Sequence, residues 1–321
     1  MKAQLLTATL FTSFSGVLLA ADPVLLNLVS PDAKVVAGVN VEQAKGTQFG
    51  QYILNQLQTN DAHLQQLVAL TGFDPRRDVR ELLVSSDGNP QGKTGLALAR
   101  GNFDVTKITG AATQHGAVTE MYGNTTIIED PKQEGGMAFL DSTTVAAGDI
   151  ASVKGAIDRQ TTAQPLPAAI LLKINQWSTS QDAWGVTTVP PASLVPPKAV
   201  SNAPNNPMAN AAQNVQQAAG GVKFGANVVF SGEATCDTAQ NANTLADLMR
   251  LMLNIAQMQV GTTDPNAAAL IKSATITTAE SHGGEGGRGN VVKASASLPQ
   301  DMFIQMIQPK SPAASQHLRE R

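Results

Sequence analysis

Apolar positions along this chain follow two periods, and the switches between them mark its elements. AKVVAGVNVE (Ala33 to Glu42) alternates with period two and sets Val35, Ala37, Val39 and Val41 on one strand face. TQFGQYILNQLQ changes to helical spacing, with Phe49, Ile53 and Leu57 on one side. Asn60 or Asp61 can cap a second helical piece, whose face runs Leu64, Leu67, Val68 and Thr71 until Gly72 ends it. VRELLVSS and GLALAR read as strands, and Asp104 caps the helix VTKITGAATQ. The order is β-α-β-β-α.

From Gly221 the same order returns. VKFGANVVFSGEAT reads as a strand, able to fold as a short hairpin. Asp237 or Thr238 opens a long amphipathic helix with the stripe Leu245, Leu248, Met249, Met252, Ile255 and Ala256. The strands SATITTAE and VVKASASL follow, and Pro299 starts the helix QDMFIQMI. Between the copies, YGNTTIIED, GGMAFLD, TTVAAGD and DAWGVTTV read as short strands, and ASVKGAIDR and LPAAILLKINQW as helices. The expected fold is therefore α+β: two related modules, each a mainly antiparallel sheet with helices on one face. The first module spans 22–189 and the second 221–308. Six prolines from Pro190 to Pro207 make 190–220 a linker with room for a short helix, MANAAQNVQQAA, stopped by Gly220 and Gly221. The tail 309–321 has no apolar pattern and reads as disordered.

The start of the chain changes the picture of where it works. Lys2, an apolar run from Leu5 to Leu19 and small residues at Ala20 and Ala21 have the layout of a secretory signal peptide covering 1–21. That run is shorter than the roughly 20 residues a spanning helix needs, and no later stretch is apolar enough to cross a membrane. The expectation is a periplasmic or secreted protein with no membrane-spanning segment after cleavage. Net charge is −3 with 15% charged residues, so no basic field draws nucleic acid. Cys236 is the one cysteine, which leaves no intramolecular disulfide and no cysteine cluster for zinc.

Candidate chemistry is sparse, and its two most suggestive motifs are turns. DGNPQGKTG (Asp87 to Gly95) resembles a phosphate loop, but Asp87 occupies the first glycine position and a strand follows where a helix N-terminus is required. GEGGRG (Gly284 to Gly289) fits G-x-G-x-x-G yet also runs into a strand. Both read as β-hairpin loops. His63, His115, His282 and His317 are isolated, and no G-x-S-x-G elbow exists. Glu129, Asp130 and Glu134 read as a solvated turn, and Cys236 as a small buried hydrophobe ahead of a helix. No catalytic, cofactor-binding or metal residue is assigned. Asn124-Thr125-Thr126 matches a glycosylation acceptor. The residues left as a possible interaction surface are Arg76, Arg77 and Arg80 in the charge cluster DPRRDVRE, with Trp177 and Trp184 flanking a turn.

The strand faces carry more. Ala274 and Ile276 match Val292, Ala294, Ala296 and Leu298 on one face of the second hairpin, while Thr275, Thr277, Lys293, Ser295 and Ser297 make the other face wet. In the first hairpin Leu96 and Leu98 oppose Ala97 and Ala99, small enough to admit close packing.

The stretches LLNLVSPDAKVVAGVNVEQAKGTQFGQYIL and GGVKFGANVVFSGEATCDTAQNANTLADLMRLML resemble segments of uncharacterised secreted bacterial proteins of a domain-of-unknown-function type. The resemblance implies a bacterial exported protein of repeated α+β modules and brings no catalytic residues. A non-catalytic binding or interaction protein of the cell envelope is the first expectation, with an unknown protein as partner. A carrier of a small apolar molecule, suggested by Met249, Met252 and Met258, is the second. A hydrolase-type enzyme with a site assembled only by the fold is the third. A dry apolar cavity would favour the carrier.

Overall fold

A computed structural model describes residues 20–60, 62–89, 92, 94–129, 135–190, 207–260, 264–279 and 290–308. Residues 1–19 of the signal segment, most of the Pro-rich stretch, the GEGGRG loop, Asp130 and Glu134, His282, His317 and the tail lie outside the described residues. The elements are α1 (Pro23–Leu28), β1 (Val35–Asn40), α2 (Val41–Lys45), α3 (Gln48–Asn60), α4 (Ala62–Thr71), α5 (Pro75–Asp78), β2 (Val79–Ser86) and β3 (Gly95–Gly101). Then come α6 (Val105–Gln114), β4 (Val118–Tyr122), β5 (Thr125–Glu129), β6 (Gly135–Asp141), β7 (Thr144–Asp149), α7 (Ile150–Thr161), α8 (Ala168–Ser180) and β8 (Ala183–Thr187). The last third holds α9 (Pro207–Gln213), β9 (Val215–Lys223), β10 (Asn227–Cys236), α10 (Ala239–Val260), α11 (Pro265–Ser273), β11 (Thr275–Ala279), β12 (Val291–Pro299) and α12 (Gln300–Ile307). Carboxylate or amide caps start many helices: Asp22, Asn40, Asp74, Asp104, Asp149 and Asp264 each accept a backbone N–H of the first turn.

The strands form one sheet in the order β11-β12-β10-β9-β8-β1-β2-β3-β7-β6-β5-β4, every pairing antiparallel. Residues paired across an antiparallel ladder point to the same face, so register assigns the two faces. One row reads Gly221, Trp184, Gly38, Leu83, Leu98, Ala146, Ala138, Ile127 across eight strands. This is the closed face. Helices α1, α7 and α8 cover it, burying Leu25, Val153, Ile170 and Ile174 in one core with the row. Gly38 is required there, because a Cβ would stand 2.7 Å from Trp184 Cζ2.

The adjacent row faces the other way: Ala296, Phe230, Val222, Ala183, Val39, Leu82, Ala99, Val145, Phe139. It is no less apolar. Toward one end α6 covers it through Phe103 and Ile108, which pack with Ala99. Toward the other, α10 buries Leu245 and Ala246 against Val292. Between them the cover is thin, and Leu82 and Val84 are 42% and 49% exposed. We call this the open face.

Three expectations need correction. Helices cover both faces of the first module's strands rather than one, because alternate residues on both sides of β1, β2 and β3 are apolar. The expected linker does not reach 220: the helix stops at Gln213, and Val215–Lys223 is a strand in mid-sheet, paired with β8 and β10. Gly220 and Gly221 are therefore sites of close approach, not helix stops. A Cβ at Gly221 would lie 2.6 Å from the Ala183 carbonyl oxygen. The strand pairing does not repeat between the two expected copies. β1, β2 and β3 are neighbours in sequence order, whereas β10 pairs with β12 and leaves β11 outermost.

β2 and β3 are a hairpin, as are β11 and β12, so both glycine-rich motifs do join paired antiparallel strands. Strand β4 was not expected from the sequence. Among the described residues it is the sheet's edge strand, with Val118 and Met121 exposed, and the turn to β5 carries Gly123 at φ 58° beside the exposed Asn124.

Candidate apolar binding site

A cavity of about 440 Å³ lies on the open face beneath α2 and α3. Its floor is Val39, Leu82 and Ala183, in register on three neighbouring strands. Its roof is Ala44, Phe49, Ile53 and Leu54, with Val79 and Phe224 among the remaining walls. Gly50 fixes the roof's position. A Cβ there would stand 1.9 Å from the Ala44 carbonyl oxygen, so only glycine lets α3 cross the end of α2 so closely. Thr47 holds the corner, donating to the Ala44 carbonyl and accepting from the Gly50 N–H.

Two ionisable residues, Lys45 and Arg76, are among the lining, and both are already engaged. Lys45 Nζ donates to the carbonyl oxygens of Val79 (2.7 Å) and Arg77 (3.2 Å) and stands 3.5 Å from Glu42. Arg76 grips Asp74 with two parallel bonds of 2.8 and 2.6 Å. The Asp74 carboxyl is held below the usual range chiefly by the Arg76 hydrogen bond, and the same bond raises Arg76. With these charges satisfied elsewhere, the cavity offers aliphatic and phenyl surface. A charged group placed inside would lose its water without gaining a partner. An uncharged hydrocarbon chain would instead cover Ile53 and Leu82, which are 39% and 42% exposed though they line the cavity.

The residues proposed as one interaction surface do not come together. Trp177 on α8 and Trp184 on β8 are both 6% exposed and belong to the closed-face core, so they form no aromatic lip. Trp177 Nε1 lies 3.5 Å from Glu233, a buried carboxylate that Lys173 also contacts. The arginines make a self-contained corner near the open face: Arg76 on Asp74, Arg77 on Asp78 at 2.7 Å, and Arg80 on Asn102 at 2.7 Å. Arg77 holds Asp78 below its ordinary range through its side-chain hydrogen bond. Of the five, Arg76 alone is part of the cavity wall.

Other candidates settle similarly. Cys236 is fully buried, and desolvation followed by nearby Asp237 pushes its thiol up, the opposite of an activated nucleophile. Among the described residues no His, Cys, Asp and Glu side chains gather into a group of three able to hold a metal. No described helix is long and apolar enough to cross a membrane. Met249 and Met252 line a second apolar groove of about 600 Å³ between α10 and the sheet, whereas Met258 is 78% exposed and does not. Sequence reasoning missed the first cavity. Its signals were present in Phe49 and Ile53 at helical spacing and in ELLVSS, where consecutive apolar residues feed both faces.

No family model and no curated protein matches the chain. Two solved structures are similar to it. Crystal form III of TP0453 aligns with a TM-score of 0.53 at 9% identity, covering 88% of this chain and 96% of that one. Crystal form IV of the same protein aligns over the same shares with a TM-score of 0.48. This chain therefore shares the overall mixed α+β fold of crystal form III of TP0453, and at 9% identity the likeness is one of fold alone.

Proposed function

We propose that this chain is an exported, non-catalytic carrier that holds an uncharged hydrocarbon chain in the cavity beneath α3. The observation that supports it most is the lining of that cavity: aliphatic and aromatic side chains throughout, with Lys45 and Arg76 turned to partners of their own. A cavity of this kind is what an apolar ligand needs and what an ordinary core closes. It moves the carrier ahead of the interaction module that the sequence favours. The experiment is native mass spectrometry of the purified full chain incubated with hexadecan-1-ol, compared with its denatured mass. A bound adduct lost on replacing Leu54 by Asp supports the reading; an unchanged mass with excess hexadecanol contradicts it.

Export rests on the signal-like start, and one contact supports processing there. The Asp22 backbone nitrogen donates to Glu81 Oε1 at 2.9 Å, and burial pushes that carboxyl up. Cleavage after Ala20 or Ala21 would bring the new ammonium to that nitrogen or one residue before it, giving Glu81 a cation. The denatured mass of the protein recovered from the envelope should correspond to a chain starting at Ala21 or Asp22. A mass retaining Met1 or the Leu5 to Leu19 run would contradict export by cleavage.

A further inference from the structure

The first cavity has a neighbour on the same face, and a single strand separates their floors. The cross-strand row on the open face runs Ala296, Phe230, Val222, Ala183, Val39, Leu82. Ala296 and Phe230 belong to the groove under α10; Ala183, Val39 and Leu82 belong to the cavity under α3. Val222 on β9 stands between them in this row, while its neighbour Gly221 on the same strand already lines the groove under α10. The floors at Phe230 and Ala183 are two strand spacings apart, roughly 10 Å.

Above the floor the divider is a run of phenylalanine rings. Phe224 meets Phe49 at 4.7 Å between centroids, Phe49 meets Phe303 at 5.2 Å, and Phe303 meets Phe230 at 5.4 Å. Phe49 and Phe224 line the first cavity and Phe230 the second, and Phe303 on α12, whose ring touches both Phe49 and Phe230, stands between those linings. The helices carrying Phe49 and Phe303 are tied together where Gln300 Nε2 donates to Gln48 Oε1 at 3.0 Å. The second cavity is lined by Met249, Met252, Leu253, Ala256 and small sheet residues, and its lining includes no ionisable side chain. Met252 is 53% exposed at its rim.

We propose that the natural occupant is a lipid with two hydrocarbon chains branching from one small backbone, one chain in each cavity, straddling Phe303. The proposal rests on the reading of the first cavity as a ligand site and goes beyond it by naming the ligand class and a second subsite. Each cavity suits a hydrocarbon chain and rejects charge. Their separation across one strand matches two chains of one molecule, which diverge from neighbouring carbons. A single-chain ligand would leave the groove lined by Met249 and Met252 unused.

The test uses the full chain freed of lipid, with hexadecan-1-ol and 1,2-dipalmitoylglycerol as probes, read by native mass spectrometry and titration. Met252→Trp fills the second cavity from a partly exposed position, and Ala256→Trp does so from the next turn, guarding against one variant failing to fold. Ala183→Leu fills the first. The expected result is one dipalmitoylglycerol per chain, its affinity lowered roughly tenfold or more by each filling variant through the methylenes it displaces. Hexadecanol should bind twice to the unaltered protein and once to each variant. One hexadecanol per chain, with dipalmitoylglycerol affinity unmoved by Met252→Trp and Ala256→Trp, would overturn the two-chain proposal and leave the single-chain carrier standing. Two hexadecanols without any dipalmitoylglycerol would also overturn it, since the cavities would then act separately. Failure of hexadecanol to bind at all would remove the carrier reading itself.

Discussion

The two faces of one sheet, built from the same strands, meet opposite fates. On the closed face Leu83 and Leu98 are 0% and 1% exposed, within the one core that α1, α7 and α8 cover, with small partners such as Ala146 and Gly38 where large neighbours leave no room. On the open face Leu82, one residue along the same strand, is 42% exposed beside a cavity of about 440 Å³. Composition does not separate them, since both rows are apolar. The difference lies in what comes down on top. Gly50 lets α3 cross close to α2 at its start, while its run over Val39 and Leu82 leaves a space that Phe49, Ile53 and Leu54 line without filling. Apolar surface that a protein leaves uncovered in this way marks a place for something else.

The largest expected effect sharpens this contrast by truncation. Leu83→Ala or Leu98→Ala should lower unfolding stability by about 2–5 kcal/mol in urea titrations, because each leaves a hole in a filled core. Leu82→Ala should cost the ligand-free protein under about 1 kcal/mol, since the side chain is already beside empty space. Equal losses on the two faces would break the comparison.

Next is the buried charge on the closed face. Glu233 has 6% of its side chain exposed and is contacted by Lys173 and Trp177. Lys173→Met should destabilise by roughly 1–3 kcal/mol, because it strands the carboxylate, while Lys173→Met with Glu233→Leu should recover most of that loss. Urea titration of the single and double variants decides it.

The smallest effect is electrostatic and belongs to the open-face corner. Asp74 and Asp78 have lowered carboxyl pKa values, principally through Arg76 and Arg77. A carboxyl depressed in the folded state contributes stability that is present above its unfolded pKa, near 3.9, and is lost as pH falls through the folded value. Melting temperature should therefore drop on acidification below about pH 4, and less steeply in Asp74→Asn and Asp78→Asn. A parallel acid profile in both variants would show that the arginine corner holds nothing.

Much of the architecture is legible in the sequence. The alternation in AKVVAGVNVE and VVKASASL gives strands β1 and β12, and Asp104 and Pro299 mark helix starts. Hairpins at the two glycine-rich motifs followed from the strands after them. Other features were hidden for physical reasons. QQAAGG lacks branched or aromatic residues, so nothing local announced that it is a mid-sheet strand; its glycines serve close backbone approach. VTEMY is an edge strand with apolar residues outside, which breaks the expected alternation. Trp177 and Trp184 flank a turn in sequence, yet the turn returns both to the core. The cavity depends on how high α3 rides over β1 and β2, a tertiary quantity that residue periodicity does not encode.

The most direct measurement is a pair of small-to-large substitutions, one per face, followed by urea unfolding with and without hexadecan-1-ol. Ala146→Leu has no room and should destabilise by about 1–3 kcal/mol. Ala183→Leu enters the cavity, so it should stabilise the ligand-free protein by about 0.5–2 kcal/mol. It should also weaken the hexadecanol-induced shift that the unaltered protein shows. If Ala183→Leu instead destabilises as Ala146→Leu does and leaves that shift intact, the open face is an ordinary packed surface and the ligand, if any, lies elsewhere.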